Sequence, residues 1–210
     1  MINTFDKDNF HFYCDVLTER DDDLKNVITQ FGYPPLWSRV PSFTTLIHII
    51  LEQQVSLTSA KAAFLKLESK IGHITPEKVL SLTDDEMKAC YFSRQKINYA
   101  RHLAKAIVNG DLNIEHLNDL PDDVIRTELK KVKGIGDWTV DVFLMMVLHR
   151  CDCFAAGDIA LIKSIKEVKG LKPPTSKEEI ISLTAQWKPY RTIAAYLLWH
   201  AYIKKRNIKL

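Results

Sequence analysis

The sequence predicts an all-α fold, on three observations. Helix-start signals recur along the chain. Between them, apolar residues repeat with a period near 3.6. No segment bounded by turn signals alternates apolar and polar residues as a half-buried strand would. Nine to eleven helices are expected.

The start signals are specific. Thr83-Asp84-Asp85-Glu86 and Ser176-Lys177-Glu178-Glu179 read as capping boxes, in which the first side chain and the fourth satisfy each other's backbone amides. Thr75-Pro76-Glu77 places proline at a first helical position behind a capping threonine. Gly72, Gly110 and Gly170 each follow a helical run and read as stops. Leu46, Ile49, Ile50, Gln53 and Gln54 lie at helical spacing, as do Ile97, Ala100, Ala104, Ile107 and Val108, and Ile193, Tyr196, Leu197 and His200. Tyr33-Pro34-Pro35-Leu36 is a corner between the N-terminal helical segment and the rest, and no low-complexity linker or internal repeat is present.

A chain of 210 residues with 46% hydrophobic residues suits one large domain or two lobes. The longest apolar stretches, Val142–Leu148 and Ile193–Ile203, fall far short of the roughly 20 residues a bilayer span needs, so no membrane partner is expected. Cys14, Cys90, Cys151 and Cys153 form no C-x-x-C pair, and with an acidic N-terminus unlike a secretory signal they read as reduced thiols.

Net charge is only +3, but it is unevenly placed. Gln186–Leu210 holds six basic residues and no acid, whereas the first 23 residues hold seven acids against Lys7 and Arg20. One end can face a polyanion and the other should not, although solvated faces and a basic tail explain the same pattern.

The connector Val132-Lys133-Gly134-Ile135-Gly136-Asp137 lies between two helical runs. Its glycines permit close backbone approach, Ile135 can anchor the turn, and amides at the start of the next helix can bind a phosphate. A plain corner between helices, with no ligand, remains open on this loop alone. No strand precedes it, so it is no dinucleotide fingerprint, and it lacks the Gly-Lys-Ser/Thr ending of a P-loop. Asp158, just before the run Ile159–Val168, reads as an N-cap, a role compatible with facing a ligand.

The run from Leu129 to Lys163, LKKVKGIGDWTVDVFLMMVLHRCDCFAAGDIALIK, resembles the helix-hairpin-helix, loop and aspartate signature of the helix-hairpin-helix DNA glycosylases, and within them the 3-methyladenine DNA glycosylase II branch. Ile49-Ile50-Leu51-Glu52-Gln53-Gln54-Val55-Ser56 resembles that family's I-L-x-Q-Q-x-S segment, and Trp187-Lys188-Pro189-Tyr190-Arg191 through Trp199 its C-terminal W-K-P-[WY]-R segment. The likeness runs in order from about Phe43 to Tyr202.

The resemblance implies two helical lobes with a central cleft, one spanning residues 42–150, the other 1–41 with 151–210. It implies a glycosylase that flips alkylated purines of the 3-methyladenine and 7-methylguanine type out of duplex DNA and hydrolyses their N-glycosidic bond. Asp158 would be the catalytic carboxylate, stabilising oxocarbenium-like charge or deprotonating water. An alkylated purine already carries positive charge, so one carboxylate suffices.

Trp138 stands where bifunctional relatives carry a Schiff-base lysine, which implies hydrolysis without strand nicking. No cysteine follows Cys153, so no iron–sulfur cluster is expected. Trp138, Trp199 and Tyr190 are candidate walls of a base pocket, with core packing the competing reading for both tryptophans.

Gln53, Gln54, Lys133, Gly134, Gly136 and Thr139 are candidate DNA contacts, with solvated amides at a helix end the competing reading for the two glutamines. Lys130, Lys131 and the Lys204-Lys205-Arg206 tail could add phosphate contacts. No cofactor is required, although backbone carbonyls of Lys130, Val132 and Ile135 match positions that bind a structural Na+ or K+ in the family.

Asp137 departs from the pattern, since an acid beside a phosphate must point away or pair with a lysine, and Val142 stands where some relatives have an aromatic. The partner would be double-stranded DNA with damaged bases and the protein a monomer. It would lie in the cytoplasm at the nucleoid in a bacterium and in the nucleus in a eukaryote. Two other functions stay open: a non-catalytic helix-hairpin-helix module for distorted DNA, and a glycosylase for deaminated or oxidised bases.

Overall fold

The computed structural model describes residues 3–208. Twelve α-helices occur among the described residues: α1 Phe10–Thr18, α2 Asp22–Phe31, α3 Phe43–Glu52, α4 Leu57–Ile71, α5 Pro76–Ser81, α6 Asp84–Ala89, α7 Arg94–Val108, α8 Asp122–Lys130, α9 Asp137–Met146, α10 Ile159–Val168, α11 Lys177–Thr184 and α12 Arg191–Lys205. Short 3-10 turns cover Glu115–Asp119 and Ala185–Trp187. The described residues hold no strand, only an isolated antiparallel bridge between Thr4 and Arg150. The all-α prediction holds. The helix count is one above the expected nine to eleven.

The expected caps are present. Thr83 with Glu86 and Ser176 with Glu179 form reciprocal capping boxes, and the Lys78 amide donates to Thr75 Oγ1 behind Pro76. Asn109-Gly110, a dipeptide that often turns hairpins between strands, here closes α7. No helix among the described residues is long and apolar enough to cross a membrane.

The chain divides into two compact units. One is Arg39–Phe143; the other joins the segment up to Ser38 with that from Leu144 onward. In the first, α3 buries Leu46, Ile47, Ile49, Ile50 and Leu51 against α4 and α7, and α7 also packs on α5 and α6. In the second, α12 is the central helix. Thr192 through Ala201 are all buried, and α1, α2 and α10 surround them. A helix apolar on every side must be enclosed, which is why this one lies inside.

Asp21 joins distant segments of the second unit. It caps α2 through the Asp23 and Leu24 amides, accepts from Trp187 Nε1 at 2.7 Å, and takes Lys169 Nζ on both carboxylate oxygens at 2.6 Å. Burial alone would raise the Asp21 pKa, but these donors outweigh it and hold the carboxyl below its usual value.

Candidate active site and DNA-binding hairpin

The hairpin joins α8 to α9 within the first unit. The Val132 and Ile135 amides donate to Leu129 O and Val132 O, at 3.1 and 3.0 Å, and Ile135 is buried as the anchor of the turn. Gly134 has φ +100°, and a Cβ there would stand 2.2 Å from Tyr99 Cγ. Only glycine fits, because the Tyr99 ring lies directly against the hairpin backbone. Lys133 and Gly136 are exposed. Lys130 Nζ pairs with Asp137 Oδ1 at 2.7 Å, so the acid next to the hairpin is balanced by a lysine.

Gln53 and Gln54 do not lie on the helix face that the apolar spacing suggested. α3 ends at Glu52, Gln53 is its C-cap, and Gln54 is exposed with φ +57°. The helix ends there because three neighbouring groups are bound from outside it. Lys96 Nζ donates to Leu51 O at 2.6 Å, Arg39 forms a two-bond pair with Glu52, and Gln53 Nε2 donates to both Gly134 O and Thr139 Oγ1 at 2.9 Å. Gln53 is therefore a clamp on the hairpin. Thr139 is buried beneath it, and of this group Gln54 is the side chain left exposed.

Asp158 is in the second unit, half-buried at the N-cap of α10. Its Oδ1 accepts from the Leu161 amide at 2.9 Å and from Trp199 Nε1 at 3.2 Å. The first turn of α12 holds the segment leading to it. Arg191 Nε meets Asp152 Oδ1 at 2.7 Å, the Thr192 amide donates to Cys151 O, and the Cys153 amide donates to Thr192 Oγ1. Ser164 Oγ donates to Leu198 O at 2.6 Å and sets α10 against α12. These bonds fix the register that brings Trp199 to Asp158.

Tyr190 and Trp138 are the other aromatic candidates. Tyr190, just before α12, packs on Tyr13 at 4.8 Å between ring centres, with the Arg20 guanidinium 5.9 Å from its own. Trp138 is half-exposed at the second position of α9, in the first unit. Trp199 is 7% exposed and packs edge-on against Trp37. In the basic tail, Arg206 pairs with Glu167 and lies over the Tyr202 ring.

Residues 47–189 match the model of the HhH-GPD superfamily of base excision DNA repair proteins. The chain belongs to that superfamily. It is 28% identical to DNA-3-methyladenine glycosylase 1 of Schizosaccharomyces pombe, over 87% of this chain and 83% of that protein. It is 27% identical to a putative DNA-3-methyladenine glycosylase of Bacillus subtilis, covering 85% of this chain but only 65% of that protein's length. A solved structure of the S. pombe 3-methyladenine DNA glycosylase in complex with abasic DNA superposes with a TM-score of 0.83 at 28% identity, over 89% of this chain and 94% of that one.

Two features of this HhH-GPD chain escaped the sequence reading. Trp37 sits outside any helix, where no period draws attention to it; a tryptophan two residues past the Pro34-Pro35 pair was the available signal. Tyr99 has the spacing of an ordinary helix residue, and nothing local marks the glycine it faces. Among the described residues of this HhH-GPD protein, no three His, Cys, Asp or Glu side chains group as a metal site.

Proposed function

We propose that the chain is a DNA glycosylase that hydrolyses the N-glycosidic bond of alkylated purines in duplex DNA, with Asp158 as its catalytic carboxylate. The observation that carries this reading is the Asp158–Trp199 hydrogen bond, in a chain of the base excision repair superfamily that matches glycosylases along most of its length. A carboxylate whose orientation is fixed before substrate arrives needs little rearrangement to face the positive charge that develops on the sugar. An alkylated purine departs as a neutral base, so no second carboxyl group is required.

The hairpin supplies sequence-independent grip. Backbone amides around Gly134 and Gly136 hold a phosphate, Lys133 adds charge, and exposed Gln54 reaches the DNA. Carbonyl oxygens of Lys130, Val132 and Ile135 would hold a monovalent cation that offsets phosphate charge. The donor chemistry fits, since backbone carbonyls are hard oxygen ligands and Val132 O, which accepts the Ile135 amide, keeps a second lone pair. Trp138 offers no amine for a Schiff base, so the product is an intact abasic strand, and the protein acts as a monomer on damaged duplex DNA.

Chromatography of the bases released from methylated DNA tests the reading. Release of 3-methyladenine or 7-methylguanine is expected, with strand breaks only after alkali. Asp158→Asn should slow release about 10²- to 10⁴-fold while duplex binding survives. Binding with no base released from any alkylated duplex would leave a DNA-binding module only. Nicking without alkali would overturn the hydrolytic mechanism.

A further inference from the structure

α1 buries Phe10, Cys14 and Leu17 on one face. Phe12, Asp15 and its C-cap Glu19 follow one another at spacings of three and four, so they share the opposite face. His11 lies one turn before Asp15. Phe12 is 62% exposed, and Tyr33, just after α2, is 40% exposed. The Tyr33 ring stacks on His11, 4.3 Å apart at 20°, and its hydroxyl donates to Asp15 Oδ1 at 2.6 Å.

The charge around these rings is of one sign. α1 contains no lysine or arginine. Asp8, Asp15 and Glu19 are exposed, and among the described residues no lysine or arginine forms an ion pair with them. Exposed acids elsewhere do have such partners: Asp84 pairs with Arg101, Asp85 with Lys88 and Asp137 with Lys130.

We propose that this face of α1 docks a basic protein segment, one with apolar side chains flanked by lysines or arginines. Phe12 supplies the apolar contact, since its ring faces away from the core that α1 helps to close. The carboxylates select the sign of the partner's charge and speed its encounter. They also exclude DNA as the occupant, because they would meet its phosphates. The His11–Tyr33 stack is already ordered by Asp15, so little side-chain freedom is lost on contact. None of these residues belongs to the site proposed for catalysis.

The probe is a short fluorescein-labelled peptide with central leucines between runs of lysine; its control carries glutamate in place of lysine. Anisotropy should show saturable binding of the lysine peptide, weakened by salt, and none of the control. Phe12→Ala changes an exposed side chain and should leave the melting temperature unchanged while weakening peptide binding about tenfold. Asp15→Asn combined with Glu19→Gln keeps an acceptor for the Tyr33 hydroxyl. It should weaken binding and flatten its salt dependence. Affinity for duplex DNA should be the same in every variant.

Failure of the lysine peptide to bind, or equal binding of the control, would overturn the proposal. So would peptide affinity unmoved by Phe12→Ala or by the double charge variant. Loss of duplex affinity in Phe12→Ala would assign the face to DNA instead. A wild-type dimer in sedimentation that Phe12→Ala dissociates would assign it to a second copy of the chain, and either result would also overturn it.

Discussion

Trp199 Nε1 and the Leu161 amide both donate to the same oxygen of Asp158, Oδ1. Two donors on one oxygen fix the plane of the carboxylate, one from the helix that Asp158 caps and one from α12. Trp199→Phe removes the second donor and keeps an aromatic ring. Hydrogen bonds to charged groups contribute about 1.5–3 kcal/mol. Single-turnover base release should therefore fall about tenfold or more, with duplex affinity retained. An unchanged rate would show that the indole does not orient Asp158.

Gly134→Ala should damage the hairpin. The new Cβ would overlap the Tyr99 ring at 2.2 Å, on a backbone with φ +100°. Overpacking costs typically about 1–3 kcal/mol, and the strained φ adds to it. A urea melt should show the loss, and DNA binding should weaken. The double variant Gly134→Ala with Tyr99→Ala should recover part of the stability, because the overlap is relieved while the strained φ remains.

Lys169→Met leaves the Asp21 carboxylate buried and removes the ammonium that bridges it to Asp23. Breaking one side of a buried pair costs about 3–5 kcal/mol. Thermal and urea midpoints should both drop. The wild-type cluster also makes stability pH-dependent. The folded Asp21 pKa lies below its unfolded value of 3.8, so its contribution is complete above that value and is lost as pH falls through the folded pKa.

His149 titrates in a milder range with the same sense. It sits at φ +50°, its Nε2 is buried without a hydrogen-bond partner, and its ring packs on Phe5. Burial lowers its pKa below 6.5, while Asp6 raises it less. The unfolded chain therefore takes up this proton first. Stability should decline as pH drops below about 6.5, the ordinary histidine value, and His149→Gln should flatten that part of the pH profile. A profile identical to wild type would remove His149 as its source.

Burial pushes the Cys14 and Cys151 thiols up to about 12, and all four cysteines are buried. A thiolate is the reactive form. The native protein should consume almost no thiol reagent at pH 8, and four equivalents after denaturation in reductant-free buffer. Rapid modification of the folded protein would contradict the buried positions.

Much of this was legible locally. Thr83, Ser176 and Thr75 announce their helices because a cap needs its partners only two or three residues away. The hairpin was visible from Gly134 and Gly136, and Asp158 from its motif and its position before a helix. Gln53 and Gln54 misled the reading. Their spacing continues that of Leu46, Ile49 and Ile50, yet the helix stops one residue earlier, because Lys96, Arg39 and the hairpin bind its end.

The sequence alone determined the all-α class, the positions of most helix starts and the turn that joins α8 to α9. Each depends on groups close together in the chain. Only the tertiary structure decided that Tyr99 closes on Gly134, that Gln53 clamps the hairpin, and that Trp199 reaches Asp158 with Trp37 behind it. It also decided that Asp21 gathers Lys169 and Trp187. These pairs lie tens to more than a hundred residues apart, and no periodicity or propensity encodes which of many similar side chains will meet. Close packing of the two cores selects them, since each buried polar group must find a partner where the folded backbone brings one.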